Sequence, residues 1–178
     1  MHAAVSSMDQ VKRLVRDVPD FPKKGIIFKD ITPLLATPGA LAFVCEELAR
    51  PFLSAGIKKV LAIESRGFLF GTLIAERLGA GLVPVRKAGK LPWDCVTESY
   101  ALEYGEATLE LHKDSVVSGE KVLVIDDVLA TGGTLRATRA LAERLNGNVV
   151  GMACFLELGF LKGRTALEPT PIHALWTL

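Results

Sequence analysis

The run Val122-Leu123-Val124-Ile125-Asp126-Asp127-Val128-Leu129-Ala130-Thr131-Gly132-Gly133-Thr134 constrains this chain more than any other. Its apolar start predicts a strand buried on both faces. Two carboxylates follow, then a turn of small residues that runs into a helical pattern over about residues 133–145. That pattern places Leu135, Thr138, Leu141, Ala142 and Leu145 on one face. In open α/β sheets, ligands bind outside the carboxyl ends of the strands. The free N–H groups of such a turn and the helix dipole make an anion site, with the Thr131 and Thr134 hydroxyls as further donors. Carboxylates beside an anion cradle repel its ligand unless that ligand also brings hydroxyls. A vicinal diol offers two O–H donors, so Asp126 and Asp127 suit a ribose whose 5′-phosphate lies in the turn. Helix caps or a simple metal site would account for the two carboxylates but not for the whole string.

The rest of the chain supplies a matching frame. Residues 59–63, 82–85 and 149–156 read as further buried strands. Residues 67–78 read as a helix closed by Gly79. Short apolar runs alternating with helices predict an α/β fold: a mainly parallel central sheet flanked by helices. Before it, Met8, Val11, Leu14, Val15 and Val18 form a helical stripe ending at Pro19, and Pro22 and Gly25 mark a loop. Pro38 suits the start of a helix running to about Ser54. The pattern fails over residues 87–105, which read as a long loop, and loops beyond ~12–15 residues in a compact domain are usually functional. A strand pattern resumes at 108–112. At 178 residues the chain is expected to be one domain.

Charge and cysteine content exclude several classes. The chain holds 21 Lys+Arg against 20 Asp+Glu, a net charge of +1 that argues against a nucleic-acid coat. The balance conceals a segregation: residues 58–90 carry seven basic and two acidic residues, and residues 91–130 two basic and nine acidic. Cys45, Cys95 and Cys154 form no CxxC pair, so neither a disulfide framework nor a zinc site is expected, and a cytoplasmic location is the simpler expectation. No secretory signal or membrane span is expected. There is no GxxxxGK[ST] loop, and Gly79-Ala80-Gly81 precedes a strand instead of following one, so neither nucleotide fingerprint applies. His2, His112 and His173 are widely spaced and read as structural or solvated.

The 122–134 string resembles the phosphoribosyl-pyrophosphate (PRPP) motif of the type I phosphoribosyltransferases. Three more segments narrow the likeness to the adenine-specific branch of that family: Asp20-Phe21-Pro22 with Gly25-Ile26-Ile27-Phe28-Lys29-Asp30-Ile31-Thr32-Pro33, then Glu64-Ser65-Arg66-Gly67-Phe68, then Ser99-Tyr100-Ala101-Leu102-Glu103-Tyr104-Gly105. The resemblance spans nearly the whole chain. It implies one phosphoribosyltransferase domain over 1–178, with an N-terminal helix and small hood over about 1–35 and a mobile active-site loop over about 87–104.

By the same resemblance, the reaction joins N9 of adenine to C1′ of PRPP, giving AMP and pyrophosphate in purine salvage. Asp126 and Asp127 are expected to hold the ribose hydroxyls, and Ala130, Thr131, Gly132, Gly133 and Thr134 the 5′-phosphate. Ser65, Arg66 and Gly67 would take the pyrophosphate, after a peptide that the family commonly strains, with Arg86, Lys87 and Lys90 adding charge. Arg66 suits direct contact, since a guanidinium fork holds phosphate bidentately. Mg2+ is the implied cofactor, held mainly by PRPP and water with no direct protein ligand. Adenine would stack on Phe28 with Leu158 opposite, its edge read by the backbone of Ile27 and Lys29. Glu103 is the candidate for proton handling, with Tyr104 beside it. A homodimer is implied, with the region around Arg86 near the partner, and no nucleic acid or membrane is involved. Ala88, Trp93-Asp94 and Lys29 depart from common family choices, which touches loop closure and affinity more than the reaction. Two rival readings remain. One is transfer to another purine or to orotate, against which residues 26–33 and 99–105 argue. The other is a non-catalytic PRPP sensor, for which the residues before Pro19 leave little room for a DNA-binding module.

Overall fold

The computed structural model describes residues 5–101 and 106–178. The chain divides into two compact units, Met1–Glu46 and Glu47–Leu178. The first exceeds the expected hood and ends inside a helix.

In the first unit, α1 (Met8–Arg13) is capped by Ser7, whose hydroxyl accepts the Gln10 N–H at 3.4 Å. The expected helix to Val18 stops early. Arg16–Pro19 is instead strand β1, paired antiparallel with β2 (Ile27–Asp30) in the register Val18↔Phe28. Cross-strand pairing overrides the helical spacing of Val15 and Val18. An ion pair from Lys29 Nζ to Asp17 Oδ1 at 2.6 Å joins the two strands, and Phe21 meets Phe28 edge-on with ring centroids 5.2 Å apart. A short α2 (Thr32–Ala36) precedes α3 (Ala40–Ala49). The expected helix from Pro38 to Ser54 is shorter as an α-helix, because Pro51 falls in a 3-10 turn, Arg50–Phe52.

The second unit is a seven-stranded sheet between helices. Its strands are β3 (Lys59–Ile63), β4 (Gly81–Lys87), β5 (Cys95–Ala101), β6 (Glu106–His112), β7 (Lys121–Leu129), β8 (Asn148–Glu157) and β9 (Ile172–Thr177), in the order β5-β6-β4-β3-β7-β8-β9. Strands β4, β3, β7, β8 and β9 are mutually parallel; β6 turns back antiparallel on β4 and on β5. The mainly parallel α/β sheet is therefore as the sequence predicts. Pro84 is tolerated in β4 because β6 pairs only with Arg86 and Lys87, leaving the strand's first residues with one described neighbour. The stretch expected as one loop from 87 to 105 is divided: a turn over 88–94, then β5. Strand β9 was not expected at all.

Helix α4 (Gly67–Leu78) follows β3, and α5 (Gly133–Arg144) follows β7. Leu135, Leu141 and Ala142 of α5 share a buried cluster with Leu61, Ile63, Val122, Val124, Met152 and Cys154. Strand alternation puts Ala62, Leu123, Ile125 and Phe155 on the opposite face, where Phe155 stacks on Phe70 of α4 at 6.0 Å. Among the described residues, no helix is long and apolar enough to cross a membrane.

Candidate active site

Two strand–turn–helix corners stand side by side because β3 and β7 are parallel neighbours, with Ala62 opposite Ile125. The first corner is Glu64-Ser65-Arg66 leading into α4; its Glu64–Ser65 peptide is cis. The second is Ala130-Thr131-Gly132 leading into α5. The start of α4 lies so close to β7 that a Cβ on Gly67 would sit 3.0 Å from the Ile125 carbonyl oxygen and 3.2 Å from Asp126 Oδ1. The structure thus brings together Ser65, Arg66, Gly67, Asp126 and Asp127, with residues 130–134 beside them.

The sequence treats Asp126 and Asp127 as a pair facing one diol. In the strand, alternation gives them different neighbours. Asp126, on the α5 side, accepts the Asp127 N–H at 2.9 Å and the Thr134 hydroxyl at 3.3 Å. Burial, followed by the adjacent Asp127 charge, pushes its carboxyl well above the usual range; the Asp127 N–H and the Thr134 hydroxyl pull the other way. Asp127 Oδ2 lies 2.8 Å from Arg66 Nε. The distance makes an ion pair, and this buried oxygen accepts no hydrogen bond from the described residues. An acceptor left open at a strand's carboxyl end suits a ligand hydroxyl or a bound water.

The turn at 130–132 is shaped from behind. Gly132 has φ +83°, and a Cβ there would lie 2.6 Å from the Gly163 carbonyl oxygen. A Cβ on Gly163 would lie 2.1 Å from the Ala130 carbonyl oxygen. Two backbones meet with no room for side chains. The 163 segment is anchored by Arg164, which holds Glu157 (Nε to Oε1, 3.0 Å) and the Ile172 carbonyl (2.9 Å). Arg139 of α5 donates to the Leu167 carbonyl at 2.8 Å. Tyr100 of β5 packs on the turn at Gly133; burial, then Asp126, raises its hydroxyl pKa.

The basic residues collect at a third place. Arg86 Nε donates to Glu64 Oε2 at 3.2 Å, the Lys87 N–H to the same oxygen at 3.0 Å, and Lys90 Nζ to Glu64 Oε1 at 2.5 Å. Burial raises the Glu64 carboxyl, but Lys90, Lys87 and Arg86 outweigh it and hold it below the usual range. Glu64 joins this cluster to Ser65 and Arg66. Glu64, Glu110 and Gly163 were given no role from sequence. Glu64 could have been found as an acid abutting a basic anion site, and Glu110 as a charge between two leucines. Gly163 carries no sequence signal.

The candidates for the base are placed separately. Ile27, Phe28 and Lys29 are consecutive in β2, Ile27 being exposed and the other two half-buried. Leu158 follows β8 in the second unit, its N–H bonded to the Leu129 carbonyl at 2.8 Å. Glu103 and Tyr104 lie outside the described residues.

Two strand–turn–helix corners thus flank a carboxylate pair, an arrangement chemically suited to a phosphorylated sugar. Residues 35–170 match the phosphoribosyl transferase domain family. The adenine phosphoribosyltransferase of Thermobifida fusca (strain YX) is 54% identical over 168 residues, covering 94% of this chain and 96% of that protein. The crystal structure of the Rhodothermus marinus enzyme of the same name has a TM-score of 0.91 at 50% identity, over 96% and 98% of the two chains. That of the Saccharomyces cerevisiae enzyme, complexed with an imino-altritol bisphosphate and adenine, has a TM-score of 0.89 at 38% identity, over 94% and 97%. The chain is a phosphoribosyltransferase by sequence and fold. Within that class it belongs to the adenine phosphoribosyltransferase family.

Two outcomes follow from this geometry. A carboxyl raised on folding favours its protonated form, so native stability declines as pH climbs past the ordinary value of 3.8 and through the raised value. Asp126→Asn removes this dependence, and its thermal midpoint should fall less than wild type's from about pH 4 to pH 7; parallel curves would mean that Asp126 titrates normally. Gly163→Ala should displace the 130–132 turn, costing about 1–3 kcal/mol of stability and raising KM for PRPP roughly tenfold, equivalent to about 1.4 kcal/mol. An unchanged KM would show that the turn keeps its shape without that contact.

Proposed function

We infer that the protein transfers the 5-phosphoribosyl group of PRPP to N9 of adenine, releasing AMP and pyrophosphate. The observation that carries this reading is the adjacency of the two corners across Gly67 and Asp126. It offers anion sites on either side of a hydroxyl-binding carboxylate pair, which is the layout of a sugar phosphorylated at both ends.

In this reading the 130–134 turn holds the 5′-phosphate through backbone N–H groups and the Thr131 and Thr134 hydroxyls. Asp126 and the open Asp127 oxygen take the ribose hydroxyls. The pyrophosphate lies at Ser65, Arg66 and Gly67, with Arg86, Lys87 and Lys90 supplying charge. As the C1′–O bond lengthens, positive charge grows on the ribose and negative charge on the departing pyrophosphate; the cations stabilise the second where it develops. The carboxyl groups of Asp126 and Asp127 stand beside the first. PRPP brings Mg2+, a hard cation that prefers phosphate oxygens and water and would neutralise the leaving group. Asp127 Oδ2, buried and accepting no hydrogen bond, fits a water on that ion as well as it fits a hydroxyl.

Ile27 and Lys29, consecutive with Phe28 in β2, read the adenine edge through their backbone, as the resemblance implies. Phe28 stacks on the base opposite Leu158, as the resemblance implies, and Glu103 handles the proton with Tyr104 beside it. The reading includes a homodimer in the cytoplasm. Leu69 and Leu73, an exposed i, i+4 pair on α4, supply apolar surface for a second copy, and three cysteines without CxxC spacing suit a reducing compartment. Sedimentation at micromolar concentration tests the dimer, and a monomer would remove it.

The direct test incubates the protein with PRPP, Mg2+ and adenine, hypoxanthine, guanine, xanthine or orotate, following pyrophosphate release. Adenine should be the preferred acceptor by a wide margin; preference for another base sinks the assignment. Glu103→Leu should lower kcat more than it raises KM for adenine, and an unchanged kcat would remove Glu103 from the mechanism.

A further inference from the structure

Strand β6 buries a carboxylate that neither corner uses. Glu110 stands between Leu109 and Leu111, is 6% exposed, and lies opposite Arg86 of β4 in the sheet register. Its Oε2 accepts the Gly89 N–H at 3.0 Å, and its Oε1 accepts the Lys90 N–H at 2.8 Å and the Leu91 N–H at 2.7 Å. Three successive amides of the 88–94 turn converge on one side chain. A buried charge is costly unless hydrogen-bonded throughout, and here both oxygens are engaged by short, charge-assisted bonds.

The bonds hold backbone, and that fixes where the neighbouring cations emerge. The Lys90 carbonyl accepts Arg86 Nη1 at 3.2 Å, and the Ala88 N–H donates to the Thr108 carbonyl at 3.0 Å. From this pinned turn, the Lys90 ammonium and the Arg86 guanidinium both reach Glu64, the residue before Ser65. We propose that Glu110 is the positioning residue of the pyrophosphate subsite: it folds residues 89–91 around its carboxylate so that Lys90 and Arg86 are presented at the Glu64-Ser65-Arg66 corner. Glu110 itself touches no substrate. The inference rests on the assignment of Arg86 and Lys90 to pyrophosphate, and the experiment separates the two.

Steady-state kinetics in both directions on Glu110→Ala, Glu110→Gln, Lys90→Ala, Arg86→Ala and the Glu110→Ala/Lys90→Ala double variant decide it, with Glu98→Ala on the adjacent strand as a control. Glutamine keeps the volume of Glu110 but must turn its NH2 toward one of the three donors, so it tests the bonds even if alanine impairs folding. Thermal melting of each variant reports folding. The expected result is a rise of roughly tenfold or more in KM for PRPP and for pyrophosphate in both Glu110 variants, as for losing hydrogen bonds to a charged group. KM for adenine should stay at the wild-type value, Glu98→Ala should match wild type, and the double variant should be no worse than its more affected single. If Lys90→Ala and Arg86→Ala raise KM for PRPP but folded Glu110→Gln does not, the positioning role is overturned and the subsite assignment stands. Fully additive effects in the double variant overturn it too, because Glu110 would then act elsewhere. If neither cation affects either constant, the subsite assignment falls and takes this inference with it.

Discussion

Everything at the site depends on the parallel pairing of β3 with β7. Parallel neighbours end at the same edge, so the turns after them are forced together. The register that sets Ala62 beside Ile125 brings Gly67 to within a methyl group of Asp126. That contact sets the two corners around one carboxylate pair. Moving either strand by one residue would turn its buried side chains to the other face and separate the corners.

Electrostatics divides the site by function. On the acidic side, Asp126 is raised by burial and by its neighbour, while Asp127 keeps an open oxygen beside Arg66. On the basic side, acids serve as internal counter-ions: Glu64 for side-chain cations and Glu110 for backbone amides. Both carboxyls lie below their usual range despite burial, because their partners outweigh desolvation. Their contribution to stability is therefore complete at neutral pH and fades only as pH falls below the ordinary carboxylate range. The opposite charge balances of residues 58–90 and 91–130 are a coarse image of this division in the sequence.

How much of this is legible from sequence varies with what fixes each element. Strand β7 and its turn are visible because burial on both faces demands a continuous apolar run, and small residues must follow where an anion approaches backbone. Strand β5 is hidden because its Thr97, Glu98 and Ser99 suit a sheet edge and carry little apolar signal. Strand β1 is hidden because Val15 and Val18 fit a helix equally well until β2 supplies a partner. Arg66, Asp126 and the 130–134 residues were legible as chemistry. That Asp126 and Asp127 would part to opposite faces follows from strand period 2, but only once the strand is known to continue to Leu129. Gly163 was beyond reach: its role is a contact between segments some thirty residues apart, and no local pattern records it.

That contact couples the segment after β8 to the end of β7. Leu158 is hydrogen-bonded to Leu129 at the end of β7, and Gly163 rests on Ala130 and Gly132 immediately beyond it. One short segment therefore touches the same strand end twice, at either side of a 3-10 turn, Gly159–Leu161. Close-packed backbone has no slack in which to absorb a displacement. A displacement at Leu158 therefore reaches the 130–132 turn through a handful of peptide units, which makes this segment a mechanical lever between its two contacts with the end of β7.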